Sequence, residues 1–322
     1  MRFVIYGAGA IGGVVGARLH QSGHDVALIA RGAHLEAIRR AGLTLETPVE
    51  RSAIELPAAE DPAELGVGGE DVVLLATKSQ DTAGALDALR WAGAVDVPIV
   101  CLQNGVENER LALRSFATVY GAVVMLPAAH LEPGVVQAYG SKLTGIVDLG
   151  RFPGGLDRRA EEMAGALAAS QLSSRTHPDI MRFKYAKLIM NLGNAVGALC
   201  GPGEASQELT ETARDEGRRA LTAAGIDFEA PEVADMEGRW ERIGVREIDG
   251  RERAGSSSWQ SLARGTGAIE TDYLNGEIAL LGRLNGVDTP VNVALCRVAA
   301  RQAHSGAGPG ETDPAEIMAA AR

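Results

Sequence analysis

Apolar residues fall in short unbroken runs along the first half of the chain and at helical spacing along the second. Residues 2–6 form a β-rich run that leads into glycines, a helical pattern follows to residue 22, and residues 26–30 make a second apolar run of strand length. Residues 72–76, 98–102 and 119–124 are further candidates for buried strands, separated by helix-length segments such as 82–91 and 107–115. Strands that alternate with helices predict a parallel, doubly wound α/β sheet. A later pair of runs, 134–139 and 143–149, has turn residues between and reads as an antiparallel addition. After about Gln171 the strand signals stop, and helical patterns cover 179–199, 204–224, 231–243, 258–264, 271–284 and 290–304. The pattern therefore predicts an α/β domain over 1–172 and an all-helical domain over 173–322, with the boundary at 171–177 just before Pro178 and a loose tail from about 305.

Composition narrows the function classes more than the fold. The 322 residues are 46% hydrophobic and 23% charged, which suits a globular chain of two domains. A net charge of -11 gives no general attraction to nucleic acid or anionic lipid, so any anion must be caught by a local cluster. Cys101, Cys200 and Cys296 are odd in number and far apart, which fits reduced thiols in a cytoplasmic protein better than a disulfide frame. The six histidines show no short ligand spacing, and no metal site is expected. The apolar N-terminus is broken by Gly7, Gly9, Gly12, Gly13 and Gly16, so it reads as strand and turn, not as a leader; no stretch approaches the ~20 apolar residues of a membrane helix.

Gly7-Ala8-Gly9-Ala10-Ile11-Gly12 has the GxGxxG spacing directly after a strand and at the start of a helix, the context of a Rossmann-type dinucleotide site. Gly7 permits the tight turn, Gly9 lets the backbone approach a pyrophosphate, and Gly12 lets the helix pack on the strand while its free N–H groups face the phosphates. The bland alternative is a glycine-rich turn without a ligand. At the end of the second strand, where an acid would take the ribose hydroxyls of NAD, stands Arg31. A guanidinium there suits the 2'-phosphate of NADP, although an exposed arginine needs no ligand to explain it. His34 is a possible helper. Lys78 and Asn104 follow two further strands at the sheet edge that borders the ligand crevice, while Asn104-Gly105 is also an ordinary turn dipeptide.

In the helical half, Lys184, Lys187, Asn191 and Asn194 fall on one face of a single predicted helix otherwise made of apolar residues. Amides in such a helix need partners, which a polar substrate or a neighbouring loop can supply. A second cluster runs from Ser256 through Ser258 to Arg264 and on to Glu270, Asp272 and Asn275. Glu270 and Asp272 at a helix start are also what the helix dipole favours without any catalytic task.

Taken together, the glycine motif, Arg31, Lys78, Gln103-Asn104-Gly105, the Lys187 to Asn191 helix and the segment Glu270 to Gly276 resemble the ketopantoate reductase (2-dehydropantoate 2-reductase) family over residues 1 to about 295. The resemblance implies NADPH-dependent reduction of a 2-keto acid, with 2-dehydropantoate to pantoate favoured, in pantothenate and coenzyme A synthesis. It implies Lys187 as catalytic acid and Glu270 as the group that holds the substrate hydroxyl and positions the lysine. Asn104 and Asn191 would orient substrate, and Ser258 would meet its carboxylate. Asn194 is the point of departure, since it comes three residues after Asn191 instead of four and is followed by alanine instead of proline. Two alternatives stay open: a related NADP-dependent dehydrogenase of another hydroxy acid or polyol derivative, and a non-catalytic NADP-sensing protein. A homodimer through the helical half is a further expectation.

Overall fold

β1 (Arg2–Tyr6) is buried from Phe3 to Ile5, as an apolar run without a polar face must be, and the main sheet extends from it in both directions. The computed structural model describes residues 1–229, 236–253, 255–265 and 267–322. After β1 come α1 (Ala10–Gln21), β2 (Val26–Ile29), α2 (Gly32–Ala41), β3 (Leu43–Glu46), β4 (Arg51–Ile54), β5 (Ala58–Ala59) and β6 (Asp71–Leu75). α3 (Thr82–Trp91), β7 (Ile99–Cys101), α4 (Asn108–Leu113), β8 (Val119–Met125), β9 (Ala128–Ala129), β10 (Val135–Ala138), β11 (Gly145–Arg151), α5 (Arg158–Ala168) and β12 (Leu172–Ser173) follow.

The eight-stranded sheet has the order β12-β11-β8-β7-β6-β1-β2-β5, and every pairing in it is parallel except β11 with β8. β1 lies between β2 and β6, so the chain winds away from it both ways and the carboxyl ends of β1 and β6 mark a switch point where crevices form. α1 rests on this sheet through Gly12 and Gly16 and on a second sheet, of order β4-β3-β10-β9, through Gly13, whose added Cβ would come 2.8 Å from Val136. The late pair of runs does not form a hairpin: β10 joins β3 and β9 in the second sheet, while β11 pairs with β8 in the first. Each run has an apolar face that a different sheet covers, with Val136 and Ala138 in one and Ile146, Val147 and Leu149 in the other. Strand signal also continues past Gln171, since Leu172–Ser173 adds to β11.

Contacts divide the chain into Met1–Lys184 with Asp235–Arg253, and Tyr185–Ala234 with Ala254–Arg322. The division falls inside a helix, later than the 171–177 boundary that the pattern predicts, and a later segment returns to the first unit. That segment carries α9 (Met236–Ile243), the described part of the helix predicted over 231–243; positions 231–235 lie outside the described residues. It is held by Arg239, which meets Asp148 of β11 at 2.7 Å with both side chains buried, and by backbone bonds from Ser141 and Lys142 to Gly244 and Ile243. No hydropathy pattern announces a return of this kind.

The helix predicted over 179–199 is two helices, α6 (Ile180–Asn191) and α7 (Gly193–Cys200). The turn between them is tied from outside: the carbonyl of Leu192, the N-cap of α7, accepts from Asn275 Nδ2 at 3.2 Å. In the second unit α8 (Glu204–Ala223), α11 (Asn275–Asn285) and α12 (Pro290–Ser305) pack on one another, and α10 (Ser257–Ala263) lies on α7. Buried Glu216 on α8 accepts from the N–H groups of Val291 and Asn292, which satisfies the first turn of α12. The expected loose tail is instead anchored: Gly310 and Thr312 donate to the last carbonyls of α7, and α13 (Pro314–Ala320) buries Ile317 completely. No helix among the described residues is long and apolar enough to cross a membrane.

Candidate active site

The glycine turn, Arg31, His34, Lys78 and Asn104 belong to the first unit. At the β1–α1 turn, Gly7 has φ +103°, and an added Cβ would lie 2.8 Å from the Thr77 nitrogen, so only glycine fits. A Cβ on Gly12 would strike the Gly7 carbonyl and approach Ile5 and Ala76 at 2.8 and 2.9 Å. Gly9 is different, because its Cβ would meet nothing within 4 Å. It is also the N-cap of α1 and makes no side-chain cap, which leaves the first N–H groups of that helix, on Ala10 and Ile11, open to an anion. Tight packing at Gly7 and Gly12 with open space at Gly9 fits a dinucleotide pyrophosphate.

His34 holds this turn from behind. Its Nδ1 accepts from the Gly134 N–H at 2.8 Å, which leaves Nε2 to donate to the Ala8 carbonyl at 2.8 Å. Burial lowers its pKa below the ordinary imidazole value, partly offset by the Ala8 carbonyl. Arg31, the residue before α2, is 78% exposed and reaches Asp81 at only 3.5 Å, so it keeps its freedom to meet a phosphate.

Lys78 and Asn104 sit at the carboxyl ends of β6 and β7, and a buried network joins their loops. Gln103 Nε2 donates to Thr82 Oγ1 at 3.0 Å and to Thr77 Oγ1 at 3.4 Å; Thr82 donates to Asn108 Oδ1 at 2.8 Å. Asn108 Nδ2 then donates to Ser79 Oγ and to the Asn104 carbonyl, each at 3.1 Å. Gln103 and Asn108 thus act as scaffolding, a task that their sequence positions alone do not reveal.

The remaining predicted groups belong to the second unit, apart from Lys184. Lys184 is not a member of a substrate-facing stripe: it is buried in the first unit, with Nζ 2.5 Å from Glu109 and 3.1 Å from the Gln103 carbonyl. Lys187 is half-buried on α6. Asn191, one turn further on, is 6% exposed, and its Nδ2 has no hydrogen-bond partner among the described residues. Asn194 lies beyond the helix break, on α7, where its backbone carbonyl accepts from Ser256 at 3.3 Å. The same Ser256 hydroxyl caps α10 by accepting from the Trp259 N–H, and places buried Ser258 in the first turn.

Glu270 opens a 3₁₀ turn, Glu270–Tyr273, directly before α11 and is half-buried. Its charge is felt by Arg264, whose pKa burial lowers and Glu270 raises in turn. Asn275, just after that turn, donates to Leu192, so the Glu270 segment is tied to the residue that follows Asn191. Thr271 Oγ1 is buried without a hydrogen-bond partner among the described residues, an open position that spacing did not single out.

Comparison with known proteins agrees with this layout. Residues 3–154 match the family described as "Ketopantoate reductase PanE/ApbA", and residues 179–303 match its C-terminal part. The chain belongs to the ketopantoate reductase family. It is accordingly an NADP-dependent oxidoreductase with a Rossmann-type nucleotide domain. The 2-dehydropantoate 2-reductase of Mesorhizobium japonicum is 32% identical over 331 residues, covering 94% of this chain and 98% of that one. The one from Pyrococcus horikoshii is 29% identical over 308 residues, covering 92% and 95%. Among solved structures, a ketopantoate reductase of Ralstonia eutropha superposes with a TM-score of 0.80 at 29% identity, over 95% of this chain and 99% of that one. A D-mandelate dehydrogenase bound to NADH and anilino(oxo)acetate also reaches 0.80, at 25% identity and the same coverage.

Proposed function

We propose that this protein reduces a 2-keto acid to the 2-hydroxy acid with NADPH, and that 2-dehydropantoate is the preferred substrate and pantoate the product, as a step toward pantothenate and coenzyme A in the cytoplasm. The observation that carries the proposal is the Asn191 amide, a buried Nδ2 donor without a hydrogen-bond partner among the described residues, one turn from Lys187 on α6. Leaving such a donor unsatisfied costs about 1–3 kcal/mol, which a substrate oxygen would recover on binding.

Gly7, Ala8, Gly9, Ala10, Ile11 and Gly12 hold the pyrophosphate against the start of α1, Arg31 takes the 2'-phosphate, and Lys78 and Asn104 line the nicotinamide side. When bound, NADPH supplies the hydride that reaches the keto carbon. Lys187 directs its ammonium at the ketone oxygen, polarises the carbonyl, and passes a proton from Nζ to that oxygen as negative charge develops there. Glu270 accepts a hydrogen bond from the substrate hydroxyl and orients the lysine. Asn191 and Asn104 fix the angle of the carbonyl, and Ser258 meets the carboxylate. Asn194 has the weakest claim to a substrate contact, since the helix break moves it out of register with Asn191.

The dehydrogenase structure supports a second reading, in which the same chemistry serves a 2-keto acid with a bulkier side chain. Initial rates of NADPH oxidation across a panel that includes 2-dehydropantoate and phenylglyoxylate separate the two. The proposal expects kcat/KM for 2-dehydropantoate to lead by about tenfold or more. Absence of turnover with 2-dehydropantoate, in protein that still binds NADPH, sinks it. For the cofactor, Arg31→Ala is expected to raise the KM for NADPH by about tenfold and leave that for NADH unchanged.

A further inference from the structure

Beneath the loop that carries Asn104 lies a charge pair for which the proposed chemistry has no use. Lys184 and Glu109 are 4% and 0% exposed, and Nζ of Lys184 meets Oε1 of Glu109 at 2.5 Å. The other carboxylate oxygen has no hydrogen-bond partner among the described residues, and burial holds the Glu109 carboxyl above its ordinary range although Lys184 draws it down. Stability is a poor explanation for such a pair. Withdrawing two ions from water is costly, and apolar side chains of similar volume usually serve a core as well or better.

What the pair does geometrically is more specific. It joins α6, α4 and the loop after β7, because the Lys184 ammonium also donates to the Gln103 carbonyl at 3.1 Å. Room for it is made at Gly121 of β8, where an added Cβ would press on Glu109, Lys184 and Met181, each at 3.3 Å. The Gln103 carbonyl belongs to the peptide plane that enters Asn104. The plane that leaves Asn104 is held as well, through its carbonyl, by Asn108 Nδ2 at 3.1 Å. Side chains therefore clamp both peptide planes of Asn104, with Lys184 on one and Asn108 on the other. Glu109 keeps the ammonium over its carbonyl, where an uncompensated buried lysine would shed its proton or turn away.

We infer that Lys184 and Glu109 form a positioning pair that aims the Asn104 side chain at its ligand by fixing the Gln103 peptide plane. The inference rests on the reading of Asn104 as a ligand contact. The decisive variant is the double replacement Lys184→Met with Glu109→Leu, which removes both charges and keeps the volume. Its melting temperature should match or exceed that of the parent, while kcat/KM with NADPH and 2-dehydropantoate falls by about tenfold or more, since a 1 Å misplacement is enough for that. Lys184→Met with Glu109→Gln, which also leaves no buried charge, gives the same readout should the first variant not fold.

The signature that a merely structural role would not give is non-additivity. Asn104→Ala alone should lower kcat/KM, and adding it to the double variant should cost less than about a further threefold, because the positioned group is already out of place. A folded double variant with parental kcat/KM overturns the inference, and so do losses that multiply in full. If Asn104→Ala alone leaves kcat/KM unchanged, the reading of Asn104 falls and takes the inference with it. A normal loss for Asn104→Ala beside a silent double variant removes the inference alone.

Discussion

Two regions offer polar groups to a ligand in opposite ways. At the turn between β1 and α1 the capacity lies in the backbone: Gly7 and Gly12 admit no Cβ, and the space at Gly9 is left open. In the helical unit it lies in buried side-chain atoms without hydrogen-bond partners among the described residues, Asn191 Nδ2 and Thr271 Oγ1. The first arrangement costs the fold little, because the helix start has unpaired N–H groups in any case. The second is a standing penalty of about 1–3 kcal/mol for each buried polar group without a partner. On the proposed function, stability and function coincide at the glycine turn and oppose each other around Asn191.

The sharpest break between the regions is expected at Lys187. Replacing Lys187 by Ala should lower kcat by about 10²–10⁴-fold, the usual worth of a positioned proton donor, with NADPH affinity within about threefold of the parent. Single-turnover rates and a fluorescence titration with NADPH measure the two quantities. Loss of NADPH binding to the same extent as turnover would erase the division of labour.

Next in size is a contrast inside the turn itself. Gly12→Ala forces a methyl against Ile5 and Ala76, so it should destabilise by about 1–3 kcal/mol in thermal or urea unfolding. Gly9 has φ -71° and nothing near, so Gly9→Ala should leave unfolding unchanged and weaken NADPH by about tenfold, since only the ligand would feel the methyl. Unchanged NADPH affinity in Gly9→Ala would mean that the pyrophosphate does not approach there.

Asn191→Leu tests the opposite bargain. Removing a buried Nδ2 donor that has no partner among the described residues should raise stability by about 1 kcal/mol while kcat/KM for the keto acid drops by at least about tenfold. A destabilised variant would show that the amide has a partner in the fold, and the conflict between stability and function at this position would be gone.

This contrast also explains what could be read without a structure. The GxGxxG turn and the apolar strands are legible because each depends on local backbone geometry or on the period of a single strand. The Rossmann-type sheet and the helical second half follow from those periods. Partner choice across the sequence is not local, and that is where the pattern reading failed. Lys184 looked like one member of a stripe with Lys187 because both have the same helical phase, yet Glu109, 75 positions earlier, decides its role. The turn at Leu192 meets Asn275, and the returning α9 meets β11 through Arg239 and Asp148, partners that no local pattern names. The run at 134–139 had the right period for a strand, but period does not say which sheet receives it. Thr271 was missed as a site group because a lone threonine carries no spacing signal, and Gln103, quoted with Asn104-Gly105, has its scaffold role set by Thr77 and Thr82, which lie elsewhere in the sequence.

The smallest expected effect concerns the pH at which the backbone-built region holds. His34 serves it only as a neutral ring, since Nδ1 must accept from Gly134 while Nε2 donates to Ala8, and the ring packs 4.1 Å from His130. Burial lowers its pKa from the ordinary 6.5, so as pH falls the unfolded chain takes up this proton before the native state does. The unfolded state then binds more protons, and stability declines on acidification: the contribution is intact above about pH 6.5 and is lost as pH falls through the depressed native value. NADPH affinity should decline over the same window, because a proton on Nδ1 would face the Gly134 N–H and loosen the turn. His177 is the natural control, as burial lowers its pKa too and it stands beside Asp148 and Arg239 on β11 and α9. His177→Gln should therefore flatten part of the pH slope of the melting temperature and leave the NADPH slope alone, whereas His34→Gln should flatten both. An NADPH slope that survives in His34→Gln would place the titrating group elsewhere than behind the glycine turn.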